Sequence, residues 1–244
     1  MLPFFRKIRW RLAQDNQFWK YSRYAIGEIV LVVIGILIAL QVNSWNQDRI
    51  NNNIQKQYLH RIQRDIKKDL EKLRFLKNRH QERIIKVNKF IDYFGEKQID
   101  QDTFNDLFWS IHYPDDFIET NDTYNDMVNS AKLDLISSDS LKIKIIELYS
   151  HYDALNQYEN HIAMDNRENI YSLSIRLFDW EVLANENDLD AFNREFQKIS
   201  SSLQLKNAFV LFRSVAPKLT DLYNTGIIKI EEIDGAISKE LDRE

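Results

Sequence analysis

Five histidines, at positions 60, 80, 112, 151 and 161, are the residues that first raise metal or acid–base chemistry. A zinc site needs paired ligands about three to five residues apart on one element, with further ligands elsewhere. No two of these histidines are so spaced. His161 and Asp165 stand four apart and would share a helical face, a spacing that more often serves a surface hydrogen bond than a metal. Asp115, Asp116, Glu119 and Asp122 are concentrated in one stretch. They lack the alternating register of a calcium loop and read as a solvated connection. Cysteine is absent, which removes both a disulfide framework and a thiolate site. There is no glycine-rich phosphate loop, nucleophile elbow or Ser-x-x-Lys. The residue types therefore point to no catalytic set, no metal and no cofactor.

A different carboxylate stands out by its surroundings. Glu28 and Gln41 border the apolar run Ile29–Leu40. A bilayer crossing takes about 20 mostly apolar residues, and Tyr24–Asn43 supplies that length if Glu28 and Gln41 reach the headgroups. Tyr21, Tyr24 and Trp45 suit the two interfacial aromatic belts. On a helix, Glu28, Leu31, Gly35, Ala39 and Val42 share one face. Gly35-x-x-x-Ala39 is the small-residue spacing that lets two spans approach closely. Glu28 is either an edge residue snorkelling to the headgroups or a hydrogen-bonding group across such a contact. The bulky Val42 and Trp45 after the run oppose signal-peptide cleavage and favour an uncleaved anchor.

Charge then sets direction. Six Lys or Arg lie within residues 1–23, against Arg49, Lys56 and Arg61 in residues 43–62. That bias places the N-terminus in the cytoplasm and translocates the C-terminal region, which in a Gram-negative cell becomes periplasmic. Phe4, Phe5, Ile8 and Leu12 cluster on one side of a helical wheel, so the tail reads as a basic amphipathic helix or as an ordinary positive flank. The net charge of −4 conceals residues 49–89, with thirteen Lys or Arg against four Asp or Glu. The chain beyond is strongly acidic, so the basic helix should pack on the acidic part. Nucleic acid is not an expected partner, because this region would lie outside the cytoplasm.

Five Gly and three Pro in 244 residues leave few turn formers and favour long helices over short strands. Leu59, Ile62, Ile66, Leu73, Leu76, Val87, Phe90 and Phe94 recur at three-four spacing. Asp69, His80 and Arg83 interrupt that seam and argue for a bundle helix rather than a coiled coil. Gly95 should end it. Short helices are expected from Asp102-Thr103 through Ile111 and from Asp122-Thr123 through Ala131, with a loop at 112–116. Ser137-Ser138 should cap a second long helix carrying Leu141, Ile145, Leu148, Tyr152, Leu155 and Ile162, running towards Leu183 with a possible break between Glu159 and Asn169. Asn187-Asp188 should open a helix over 189–201. Another is expected from Leu203 to Tyr223, kinked before Pro217, with Gly226 separating a final helix lined by Ile230, Ile233, Ile237 and Leu241. The aromatics Phe104, Phe108, Trp109, Tyr113, Phe117, Tyr124, Phe178 and Trp180 read as core, with a ligand or partner groove as the alternative.

The fold class expected is all-α: one transmembrane helix continuing into a long stalk helix, with an extracytoplasmic helical bundle. The divisions are a cytoplasmic tail (1–23), the transmembrane helix (24–43), a basic stalk or first bundle helix (44–95) and an acidic helical domain (96–244).

The stretch Tyr24-Ala-Ile-Gly-Glu-Ile-Val-Leu-Val-Val-Ile-Gly-Ile-Leu-Ile-Ala-Leu-Gln-Val-Asn-Ser-Trp-Asn46, preceded by Phe4-Phe5-Arg6-Lys7-Ile8-Arg9, resembles a bacterial family of uncharacterised single-pass membrane proteins. It is a domain of unknown function seen mainly in flavobacteria and their relatives. Glu119–Ile136 is similar to that family's Thr-Tyr, Ser-Gly, Leu-x-Leu-Ile pattern, with Ala131 where the pattern has Gly. The resemblance implies an inner-membrane anchor and a helical extracytoplasmic domain, and it carries no catalytic residue. The expected function is a non-enzymatic scaffold or assembly module, binding the lipid bilayer and either an envelope protein or its own copies. The alternative is a membrane-anchored ligand sensor that signals through a partner.

Overall fold

The computed structural model describes residues 18–111, 116–184 and 188–242. The tail with Phe4, Phe5, Ile8 and Leu12, the 112–115 part of the expected loop with Tyr113, and Asn187 lie outside them. Among the described residues all regular structure is helical, with no strand. Contacts divide the chain into two compact units, Met1–Gln55 and Lys56–Glu244, and the division falls within the first helix, α1 (Phe18–Ile91).

In the first unit α1 carries the apolar run. It is the one helix among the described residues long and apolar enough to cross a membrane, a candidate span with an 18-residue window of mean hydropathy 2.6. None of that window is buried.

The second unit is a helical body. Its part of α1 buries Leu59, Ile62, Ile66, Leu73, Leu76, Val87 and Phe90. After Ile91 the chain tightens into successive turns and reaches Gly95, whose φ of 103° needs the freedom of glycine. The Gly95 amide then donates to Ser200 O at 2.9 Å. Helix α2 (Gln101–Phe108) is capped by Asp100, not Asp102: the Asp100 side chain accepts from Thr103 N. A 3₁₀ turn (Trp109–Ile111) follows it. Helix α3 (Asp122–Asn129) leads to a second 3₁₀ turn (Leu133–Leu135).

Helix α4 (Asp139–Asn166) starts at Ser138, whose side chain accepts from Leu141 N. Its expected continuation to Leu183 is interrupted. Residues Arg167–Tyr171 form a π-helical segment, α5 (Ser172–Leu177) follows, and Phe178 turns extended before α6 (Trp180–Ala184). Helix α7 (Leu189–Ser200) is capped by Asp188.

The last helix, α8 (Leu203–Leu241), corrects the expected division at Gly226. It runs unbroken through both Pro217 and Gly226. The reason lies across the interface: a Cβ at 226 would sit 2.9 Å from Leu73 Cδ1 and 3.4 Å from His151 Nε2. Glycine here marks a close helix crossing, not a stop.

Helices α4 and α8 pack antiparallel, as Lys144–Glu232, Glu147–Lys229 and Tyr158–Val215 contacts show in order. The basic face of α1 meets acidic side chains through Lys67–Asp234, Arg74–Glu231 and Lys86–Asp106. These exposed pairs set register more than they stabilise. At the far end Phe90, Phe104, Phe108, Phe192, Phe196 and Phe209 are almost fully buried. Phe104 stacks on Phe108 at 4.9 Å, and Phe90 lies 4.9 Å from Phe209. The aromatic-rich middle is thus core at these positions.

Candidate functional site

On α1 the polar residues Asp65, Asp69, His80 and Arg83 follow the same three-four spacing as the apolar seam. All four are buried, Asp69 completely at 0 % exposure. A buried polar group must be matched by hydrogen bonds or it destabilises the fold by about 1–3 kcal/mol. For Asp65 and Asp69 the long-range donors come from one segment, the stretch around Glu119–Ile136.

Asp69 receives the Thr120 amide with both oxygens at 3.0 Å, the Thr120 hydroxyl at 2.8 Å and Lys72 Nζ at 3.3 Å. One turn earlier, Asp65 accepts the Thr123 hydroxyl. From α4, Glu159 is 6 % exposed and accepts the Phe117 amide at 2.9 Å and the Tyr223 hydroxyl at 2.5 Å. At the outer edge Asp126 accepts Tyr58 OH at 2.8 Å and Arg61 at 3.2 Å. The Tyr58 hydrogen bond, with the nearby Arg61 and Lys132 charges, holds the Asp126 carboxyl below the usual range.

Aromatic faces complete the contact. Tyr124 stacks on Tyr149 at 3.9 Å, and Phe117 lies 5.0 Å from Tyr152. Burial, and then the Asp69 charge, push the Tyr149 and Tyr152 hydroxyls far above the ordinary phenol value. Both stay protonated across the accessible pH range. Tyr149 donates to Thr120 O at 3.3 Å.

Deeper in, side chains hold the backbone of α8 on either side of Pro217. His80 Nε2 lies 2.9 Å from Ala216 O, so that nitrogen carries the proton. Tyr158 OH donates to Val215 O, and His151 Nε2 to Leu222 O, each at 2.9 Å. Burial lowers the pKa of His80 and His151, only partly offset by those backbone bonds. Arg83 Nε donates to Ser110 O at 3.0 Å. These groups hydrogen-bond to one another or to the backbone and tie the helices together.

The expected transmembrane face lies in the first unit. Leu31 and Val42 are 70 % and 57 % exposed, and open space surrounds the Cβ direction of Gly35. Glu28 is partly exposed on the same helix, as Ala39 is exposed. Among the described residues no group of three His, Asp or Glu could hold a metal. His161 and Asp165 are both exposed on α4. The polar seam was not foreseen, although its signal was present: Asp69, His80 and Arg83 sit in register with the apolar stripe they seemed to interrupt.

The architecture is that of an all-helical protein with one long apolar N-terminal helix, a candidate membrane span, and a body closed by a polar clamp. Residues 28–204 match a family of unknown function (DUF6090), and the chain belongs to that family. No curated protein and no solved structure matches it. The matched region contains Asp65, Asp69, Glu159 and the segment they hold, and it ends as α8 begins.

Proposed function

We propose that the protein is a non-enzymatic, single-span membrane protein whose helical body serves as an interaction and assembly module. The observation that carries this reading is the exposed apolar run: the large side chains from Ile29 to Leu40 are 47–70 % exposed. So much contiguous apolar surface is stable only in lipid or against another helix. The excess of Lys and Arg before the span supports a cytoplasmic N-terminus and a periplasmic body in the inner membrane. Glu28, Leu31, Gly35, Ala39 and Val42 form the face on which a second span, from another copy or an envelope protein, would pack.

Two measurements test this. Protease added to spheroplasts should digest the body, and an intact body would overturn the orientation. Cysteine crosslinking in membranes should be stronger through Gly35→Cys than through lipid-facing Val33→Cys, and equal yields would remove the packing face.

A further inference from the structure

We propose that residues 116–132 form a releasable strap, clamped by Asp65, Asp69 and Glu159, which opens as one unit while the rest of the helical body stays folded. The strap is held mainly by polar ties. Its Phe117 and Thr120 amides and its Thr120 and Thr123 hydroxyls all end on those three carboxylates. Asp126 and Glu119 add further ties, to Tyr58 and Arg61 and to Asn156. The large apolar side chains the strap buries are few, Phe117 and Met127, while Ile118 and Val128 are 72 % and 48 % exposed.

Two consequences follow. A partly lifted strap would leave buried carboxylates without donors, which is the least favourable arrangement for such groups. The strap is therefore either clamped or free, the bistability that a conformational device needs. Full release is the milder change, because water hydrates the carboxylates and the freed amides alike, whereas an apolar seam would resist wetting. Segments with little apolar burial open below the global unfolding free energy. The carboxylates sit on α1 and α4, so a shift of either helix would be felt by the strap. Strap opening belongs to the helical body alone and holds whichever way the chain is anchored.

Hydrogen exchange of the full chain in detergent micelles tests this. The α3 amides, Asn125 to Asn129, and the amides of Phe117 and Thr120 should exchange roughly ten-fold or more faster than core amides of α4 and α8, with a shallower denaturant dependence. Thr120→Val should speed strap exchange by roughly five-fold, with strap and core keeping separate denaturant slopes. If strap and core amides exchange together with one slope, in the wild type or in the variant, the strap is not a separate unit. A second variant covers poor folding of the first: an Asp65→Cys, Thr123→Cys disulfide should slow strap exchange to the core rate, and reduction should restore it. Fast exchange in the oxidised form would overturn the proposal.

Discussion

Gly226 of α8 lies so close to Leu73 of α1 that a single added carbon would stand 2.9 Å from the leucine methyl. Leu73 is completely buried, so its methyl would have to shift within the core. Gly226→Ala therefore sets a gain in helix propensity of up to ~1 kcal/mol against overpacking of about 1–3 kcal/mol. A net loss is expected, larger for Gly226→Val. Gly235, nine residues on in the same helix, is the control, since nothing lies within 4 Å of its Cβ direction. Gly235→Ala should stabilise by roughly 0.5–1 kcal/mol. Urea unfolding of the two alanine variants should move the midpoint in opposite directions.

Ala131 has φ of 53°, the one positive φ outside glycine among the described residues. It follows α3 in a Schellman arrangement: Lys132 N donates to Met127 O at 2.9 Å and Ala131 N to Val128 O at 3.2 Å. The left-handed residue of this motif is usually glycine, because a Cβ there costs about 1 kcal/mol. Ala131→Gly should therefore raise stability by about 1 kcal/mol, less any gain in unfolded-chain entropy. Thermal unfolding checks it, and no change or a loss would refute the strain.

These two sites show what the sequence conveys and what it withholds. The stripe from Leu59 to Phe90 and the cap at Ser138 are local patterns, and the structure follows them. Gly226 and Asp69 are not local. Glycine reads as punctuation unless Leu73 is known to face it, and an aspartate in an apolar seam reads as an interruption unless Thr120, fifty-one residues on, is known to supply its donors. The departure from glycine at Ala131 was visible in the motif, but its conformational meaning needed a backbone angle.

Asp69 tests how far the clamp holds the body together. Asp69→Ala leaves the Thr120 amide and hydroxyl without their acceptor, each at about 1–3 kcal/mol, while Lys72 keeps Ile118 O and Thr120 Oγ1. A loss of about 3 kcal/mol is expected. Thr120→Val removes only the hydroxyl and should lose about 1 kcal/mol. In the double variant the two losses should fall short of adding, since both act on one bond. Strict additivity in a denaturation cycle would mean that the two side chains are not energetically coupled.

His80 gives the pH dependence. It is 2 % exposed, its Nε2 proton is committed to Ala216 O, and its Nδ1 has no partner among the described residues. Burial, with Arg83 nearby, lowers its pKa in the folded chain. A histidine depressed in this way favours folding above the unfolded value of about 6.5. As the pH falls, the unfolded chain takes up the proton first, so the contribution is lost through that value and down to the folded pKa. Each such histidine contributes a slope approaching ~1.4 kcal/mol per pH unit over that window. His80→Gln keeps an N–H for Ala216 and does not titrate. The stability difference between wild type and this variant, measured from pH 7.5 to 5, should shift in favour of the variant as the pH drops. A constant difference would show that His80 protonates as readily in the folded chain as in the unfolded one.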